Sequence, residues 1–277
     1  DVCSSDLWDK YAQIVVRDYV SGAMENTGAV VFGDYVYKNE RELLDANDQS
    51  TIAHELFHQW FGDLVTAESW SNLTVNESFA DYSQTLWLEH SKGKDAGQYE
   101  NYTGMRSYLS SPSDAEKNLV RFFYKDREDI FDLVSYQKGG RILNMLRHYV
   151  GDEAFFASLN KYLNDNKFSN GSAIKLKLAF EATTGKDLNW FFNQWYFSNG
   201  HPYVRITQQY MPEKKQVLVV IKQTQTQDKI FELPVGIDIY SEGKKEHYNV
   251  WSKNKIDSFY FPAASVPDNV NVDNDKV

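Results

Sequence analysis

One cysteine is present in 277 residues, at position 3. No intrachain disulfide can therefore form, and a cysteine-based metal site is excluded. Disulfides follow the redox compartment, but their absence does not fix it, and localisation stays open. Long apolar runs are missing as well. The longest, such as Val217–Ile221, fall far short of the roughly eighteen residues a bilayer-spanning helix needs. Positive charge is scarce: 29 Lys and Arg against 39 Asp and Glu leave a formal charge of −10, with the basic residues scattered. No basic face for a phosphate backbone follows from such a pattern, and nucleic acid is not an expected partner. Neither an internal repeat nor a low-complexity tract occurs. What remains is 42% hydrophobic and 15% aromatic over a length sufficient for two ordinary domains, so a sizeable core can be buried.

Both ends read as cut. The chain opens on Asp1 rather than Met, and Asp1–Leu7 (DVCSSDL) departs from the strand-like pattern after it. This segment matches the translation of a common sequencing adapter and is set aside as a non-native scar, residues 1–7. Cys3 then says nothing about the protein, and a signal peptide could have stood upstream. The other end stops directly after a β-like segment.

Tyr11–Val20 and Val30–Val36 read as strands, β-branched and aromatic. Between them Ser21–Gly28 is rich in small residues that let a backbone approach closely. From Asp48 the periodicity turns helical: Asp48 or Ser50 can cap, the helix runs through Ile52–Phe61, and Gly62 stops it. A second helix is expected from about Asn76 to Ser91. Residues 95–110, 128–150, Glu153–Leu163, Ala173–Ala182 and Leu188–Phe197 continue the helical pattern, with Gly151, Gly185 and Gly200 as stops. After His201-Pro202 the character changes to short alternating runs separated by charged or Gly/Pro turns, the signature of a small antiparallel β-domain. The fold class expected is α+β: a mainly helical domain over residues 8–200, then a β-sandwich over 201–277.

The strongest chemical signal is HELFH at His54–His58. Residues four apart share one helix face, so both imidazoles can address one ion. Zinc suits two imidazoles and a carboxylate with a fourth position left for water. Glu55, angularly offset, can reach that water as a general base. Glu77 follows His58 after eighteen intervening residues, the length of a helix end, a turn and a returning helix. That return completes a candidate set of His54, His58 and Glu77 for one zinc per chain. Asp81, one turn beyond Glu77, is a candidate acceptor for the free ring nitrogen of His54; an exposed helix aspartate is the alternative. Upstream, Gly22-Ala23-Met24-Glu25-Asn26 adjoins a strand whose edge a peptide can extend by backbone hydrogen bonds. Glu25 can pair there with a substrate ammonium and place the first peptide bond over the metal. Taken alone, these five residues read by default as a surface turn.

Taken in order, GAMEN, HELFHQWFGDLVT and WSNLTVNESFADY resemble the gluzincin aminopeptidases, a family that includes aminopeptidase N and leukotriene hydrolase. The resemblance covers about residues 8–277 and implies a thermolysin-like catalytic domain. It also implies Glu25 as the amine-binding residue, His54, His58 and Glu77 as zinc ligands, and Glu55 as base. Ser135-Tyr136-Gln137-Lys138-Gly139-Gly140 resembles the family segment whose tyrosine stabilises the oxyanion, which assigns that role to Tyr136. The implied substrates are peptides with a free N-terminus. Two family parts are not in this sequence: an amino-terminal β-domain that adds to amine binding, and a carboxy-terminal helical domain that closes the cavity. Epoxide hydrolysis on the same zinc, and a zinc-loaded scaffold without catalysis, are the alternative functions. Asn72, Asn76, Asn101 and Asn170 match the glycosylation pattern, and these read as chance matches.

Overall fold

Helices prevail as far as Asn199 and strands beyond it, and the chain divides there into two units, Asp1–Asn199 and Gly200–Val277. The computed structural model describes residues 7–226 and 228–274. Most of the segment read as a scar, Cys3 included, lies outside them.

The first unit opens with a three-stranded sheet in the order β1 (Ala12–Val16), β3 (Ala29–Gly33), β2 (Ala23–Met24). β1 and β3 run parallel, and β2 lies antiparallel on the outer edge of β3. Val30 and Phe32 alternate into the core and fix the face that β3 buries. β1 is shorter than the sequence pattern suggests. Asp18 adopts φ 54, a left-handed conformation that a strand cannot continue through.

A short helix α1 (Glu42–Asp45) precedes α2 (Gln49–Phe57). Neither expected cap forms a side-chain bond at the start of α2; the Asp48 carboxylate pairs with Lys38 instead. The helix also ends sooner than Gly62. His58 occupies its C-terminal cap, and turn hydrogen bonds carry the chain through Phe61. β4 (Val65–Ala67) then leads into α3 (Thr74–Lys92). An unbroken run from Thr74 to Ser83 in α3 is buried. Phe61 stacks on Phe79 with ring centroids 4.1 Å apart, which locks the end of the α2 segment onto α3. Gly93, at φ 95, turns the chain into α4 (Lys94–Leu109).

The region expected as one helix over 128–150 is interrupted. A 3-10 turn covers Arg127–Ile130, a π-helical turn covers Val134–Lys138, and only then does α5 (Gly139–Val150) begin. Asp132 causes the break. Its Oδ1 accepts the backbone N–H groups of Val134 and Ser135 at 3.0 and 3.1 Å and restarts the chain there. α6 (Asp152–Asn166), β5 (Ser169–Gly171), α7 (Ala173–Thr184) and α8 (Asn189–Trp195) complete the unit, with β5 parallel to β4. Arg147 joins α5 to α3 and α6 by bonding Glu89 and Asp152, each at 2.8 Å. Three of the four glycosylation-pattern asparagines, Asn72, Asn76 and Asn101, are buried. Asn72 and Asn76 accept the backbone N–H groups of Ala173 and Ala67.

Among the described residues the second unit holds six strands: β6 (Val204–Met211), β7 (Gln216–Gln223), β8 (Leu233–Ser241), β9 (Lys244–Ser252), β10 (Ile256–Pro262) and β11 (Asn269–Val272). They form two antiparallel sheets, β10-β7-β6 and β11-β8-β9. Val217, Val219 and Phe261 of one sheet and Ile237 and Ile239 of the other share a core, as the inward alternation of each strand requires.

Candidate metal centre and active site

α2 presents His54 and His58 one turn apart, and the first turn of α3 presents Glu77. The two Nε2 atoms lie 3.2 Å apart, and Glu77 Oε2 is 3.5 Å from His54 Nε2 and 3.4 Å from His58 Nε2. A tetrahedral zinc with bonds of about 2.0–2.1 Å sets its ligand atoms roughly 3.3 Å from one another. The three donors therefore fit that ion without rearrangement. All three side chains are buried. Burial opposes ionisation of Glu77, but the two imidazoles outweigh it and hold its carboxyl below the usual range.

The ring of His58 is oriented by its other nitrogen, Nδ1, 3.0 Å from the Phe61 carbonyl oxygen. That bond fixes the proton on Nδ1 and frees Nε2 for a metal. Gly62 makes room for it: a Cβ there would lie 3.2 Å from Nδ1, and its φ of 152 suits only glycine comfortably.

His54 differs from the sequence expectation. Its Nδ1 lies 3.1 Å from the side-chain amide of Gln84, and no hydrogen bond to Asp81 forms among the described residues. Asp81 is drawn away by Arg141 Nη2 and Gln137 Nε2, each at 3.3 Å. Gln84 stands two helical turns after Glu77, on the same face of α3. A seven-residue offset of that kind is the signal that identifies it. The atom facing the ring is Gln84 Nε2; with His54 Nε2 on a metal, Nδ1–H would donate, and the amide would turn its oxygen to the ring.

Glu55 is 6% exposed, its Oε2 has no hydrogen-bond partner among the described residues, and its carboxyl is pushed up to about 7. Burial is the main cause, opposed by His54 and His58 and reinforced by Glu25 and Glu77. An orphaned carboxylate oxygen beside the three donors suits a group that handles the proton of a bound water. Tyr136 sits in the π-helical turn, its ring stacked parallel to His54 at 6.0 Å. Its phenol is pushed far up, by burial first and then by Glu77, so it remains a hydrogen-bond donor. Ser78 Oγ donates to the Ser135 carbonyl at 2.7 Å and pins this turn to α3.

Gly22, Ala23, Met24 and Glu25 line the same cavity, of about 1000 Å³, as the metal set and Tyr136. Glu25 Oε1 is 4.0 Å from His58 Nδ1. Gly22, at φ 74, turns the chain into the edge strand β2. Asn26 stands just beyond it and caps the loop through its backbone carbonyl, which accepts from Ala29 N at 2.8 Å. Gln59 and Asp63 lie within the HELFHQWFGDLVT segment without a role assigned by it, and Gln84 and Arg141 lie outside the quoted motifs, yet each touches a residue of the site.

Similar proteins extend over much of the chain. Tricorn protease-interacting factor F2 of Thermoplasma acidophilum is 35% identical over 201 residues, 70% of this chain and 26% of that protein. Aminopeptidase N of Streptomyces lividans is 36% identical over 67% of this chain and 23% of its own length. Aminopeptidase M1 of Arabidopsis thaliana is 34% identical over 70% and 23%. The chain thus spans about a quarter of the length of these relatives. A crystal structure of Legionella pneumophila aminopeptidase A in complex with aspartic acid superposes with a TM-score of 0.75 at 22% identity, covering 92% of this chain and 30% of that one. That likeness speaks to the fold. Residues 6–195 match the Peptidase family M1 domain, and with relatives of this identity the chain belongs to peptidase family M1.

Proposed function

We propose that the protein is a zinc aminopeptidase that releases residues from the free amino terminus of peptides. The observation that carries this reading is the convergence of three buried donor atoms at mutual distances of 3.2–3.5 Å, beside an unpartnered Glu55 oxygen. Membership of peptidase family M1 and the aminopeptidases among its relatives support it. The α2–turn–α3 arrangement around the donors is read as thermolysin-like.

In this reading His54, His58 and Glu77 hold one zinc, which when bound supplies a polarised water and a Lewis acid for the scissile carbonyl. Glu25 binds the substrate α-ammonium and sets which peptide bond lies over the donors. Gly22–Met24, on the free edge of the first sheet, pair with the substrate backbone. Glu55 takes the proton of the attacking water and returns it to the leaving amine. The Tyr136 hydroxyl donates to the oxyanion that develops at the scissile carbonyl. Domains beyond this chain would complete amine binding and cavity closure.

The test uses the full-length protein and a matched pair of aminoacyl-anilides, free and N-acetylated. Hydrolysis of the free compound that a zinc chelator abolishes and zinc restores is the expected result. Equal turnover of both compounds, or turnover untouched by the chelator, would overturn the reading.

A further inference from the structure

Glu25 poses a placement problem. Among the described residues no hydrogen bond holds its carboxylate, so the backbone that carries it must fix where the carboxylate stands. That backbone belongs to a loop, Glu25 to Gly28, between the two-residue strand β2 and β3. The metal donors stand on other elements, the two histidines on α2 and its C-terminal cap and Glu77 on α3.

Gln59 bridges the two. It follows the ligand His58 directly and is 2% exposed. Its Oε1 accepts the backbone N–H of Gly28 at 3.1 Å, and its Nε2 donates to the Glu25 carbonyl at 3.2 Å. The remaining amide proton goes to Asp63 Oδ2 at 2.8 Å. Both donors and the acceptor of this amide are thus engaged. Gln59 grips the loop at two points, residues 25 and 28, while Asp63 holds the amide itself. Only one orientation of the amide satisfies this set, because a carboxylate must be met by N–H and a backbone N–H by oxygen. Buried side-chain amides with every group engaged hold their partners rigidly.

We propose that Gln59, oriented by Asp63, is a positioning residue that sets the separation between the amine anchor Glu25 and the metal. Resting on the aminopeptidase reading above, this assigns to one buried amide the register that makes the enzyme cut after the first residue. The ammonium and the scissile carbonyl of a peptide are a fixed distance apart, so an anchor that drifts loses alignment with the reacting centre. Gln59 touches neither substrate nor metal in this scheme.

The experiment compares kcat/KM for the free and N-acetylated forms of one peptide, in the zinc-loaded full-length parent and in Gln59→Met. Methionine fills nearly the same volume and can make none of the three hydrogen bonds. The expected result is unchanged zinc content with a free-over-acetylated preference lowered about tenfold, chiefly through KM of the free peptide. Asp63→Asn, which keeps an oxygen for Gln59 Nε2, should retain most of the preference. Equal losses on both peptides would mark a merely structural role and overturn the proposal, as would an undiminished preference. If Gln59→Met does not accumulate as zinc-loaded protein, Asp63→Leu gives the same comparison. It leaves Gln59 in place without its orienting acceptor, and an undiminished preference there also overturns the proposal. A parent with no preference for the free amine would overturn the aminopeptidase reading itself. A parent that has the preference, and a variant that keeps it, removes only the role of Gln59.

Discussion

Ser78 and Ser135 join the two elements that the candidate site depends on: the Ser78 hydroxyl, next to Glu77 on α3, donates to the Ser135 carbonyl, next to Tyr136, at 2.7 Å. The approach is close because glycine follows. A Cβ at Gly139 would stand 1.8 Å from Ser78 Oγ, and one at Gly140 2.3 Å from Asp81 Oδ2. Glu77 and Tyr136 thus share a cavity because two glycines let the π-helical turn and α5 lie against α3.

Gly139→Ala should therefore push that turn away from α3. Overpacking of a tight buried contact costs about 1–3 kcal/mol, and the displacement carries Tyr136 with it. Thermal melting and turnover should both fall. Combining it with Ser78→Ala should cost less than the sum of the two single changes, because the oxygen that the new methyl meets is gone. Strict additivity in the melting data would show that Ser78 is not the group in the way.

Gln84 and Asp81 should separate metal affinity from stability. Gln84 faces the outer nitrogen of His54, and loss of a partner that orients a ligand imidazole typically weakens metal binding about 10–100-fold. Gln84→Ala should do so with little change in the melting of the metal-free protein. Asp81 instead neutralises Arg141, which is only 12% exposed. Asp81→Ala leaves that charge without its carboxylate and should cost about 3 kcal/mol of stability, with a smaller effect on zinc. Chelator competition and melting, read side by side, check the pair. The reverse ranking would restore Asp81 as the partner of His54.

The contrast also shows what the sequence discloses. His54 and His58 meet because helical periodicity is local, and Glu77 joins them because the intervening length suits a turn and a returning helix. Those relations can be read from spacing. The partners of Gln59 cannot: Glu25 and Gly28 are 34 and 31 residues away, and a glutamine carries no motif to announce them. Asp81 is misleading for a related reason. Its place on α3 suits His54, but the guanidinium that claims it comes from α5, 60 residues on. The break in the 128–150 region was hidden because its apolar periodicity runs on through the segment. A single side chain, Asp132, accepting two N–H groups decides it. β11 and the short β4–β5 pair escape for want of length, three or four residues being too few to show alternation.

Acid should weaken the second unit through Asp238. This side chain is 2% exposed, and Nδ1 of His247 and Nζ of Lys245 lie 2.6 and 3.0 Å from its oxygens. Burial opposes its ionisation, but His247 and then Lys245 outweigh burial and hold the carboxyl below its ordinary 3.8. The unfolded chain then takes up the proton first as pH falls. The stabilisation is complete above about pH 5 and is lost as pH drops through the lowered value, below about pH 4. Asp238→Asn should flatten the melting-temperature profile of the β-unit across that window. An unchanged acid slope would mean that other carboxylates set it.

Glu55→Gln asks the most direct question of the proposed chemistry. The substitution keeps the size of the side chain and leaves the three donor atoms in place, so zinc should remain at about one per chain, measurable by atomic absorption. What disappears is the ability to take a proton, because an amide is not a base. The parent carboxyl is well suited to that task, being pushed up to about 7 mainly by burial, close to the pH at which a general base works best. Loss of a positioned base alone lowers turnover by about 10²–10⁴, and Glu55 would also orient the attacking water, so the loss should reach the upper end of that range. KM should change little, since in the proposed scheme the ammonium is bound by Glu25 and the backbone by the edge strand. A variant that kept zinc and hydrolysed the free aminoacyl-anilide at near-parental kcat would remove Glu55 as the base. The search would then pass to the remaining carboxylates lining the cavity outside the metal set, Glu25, Asp81 and Glu128.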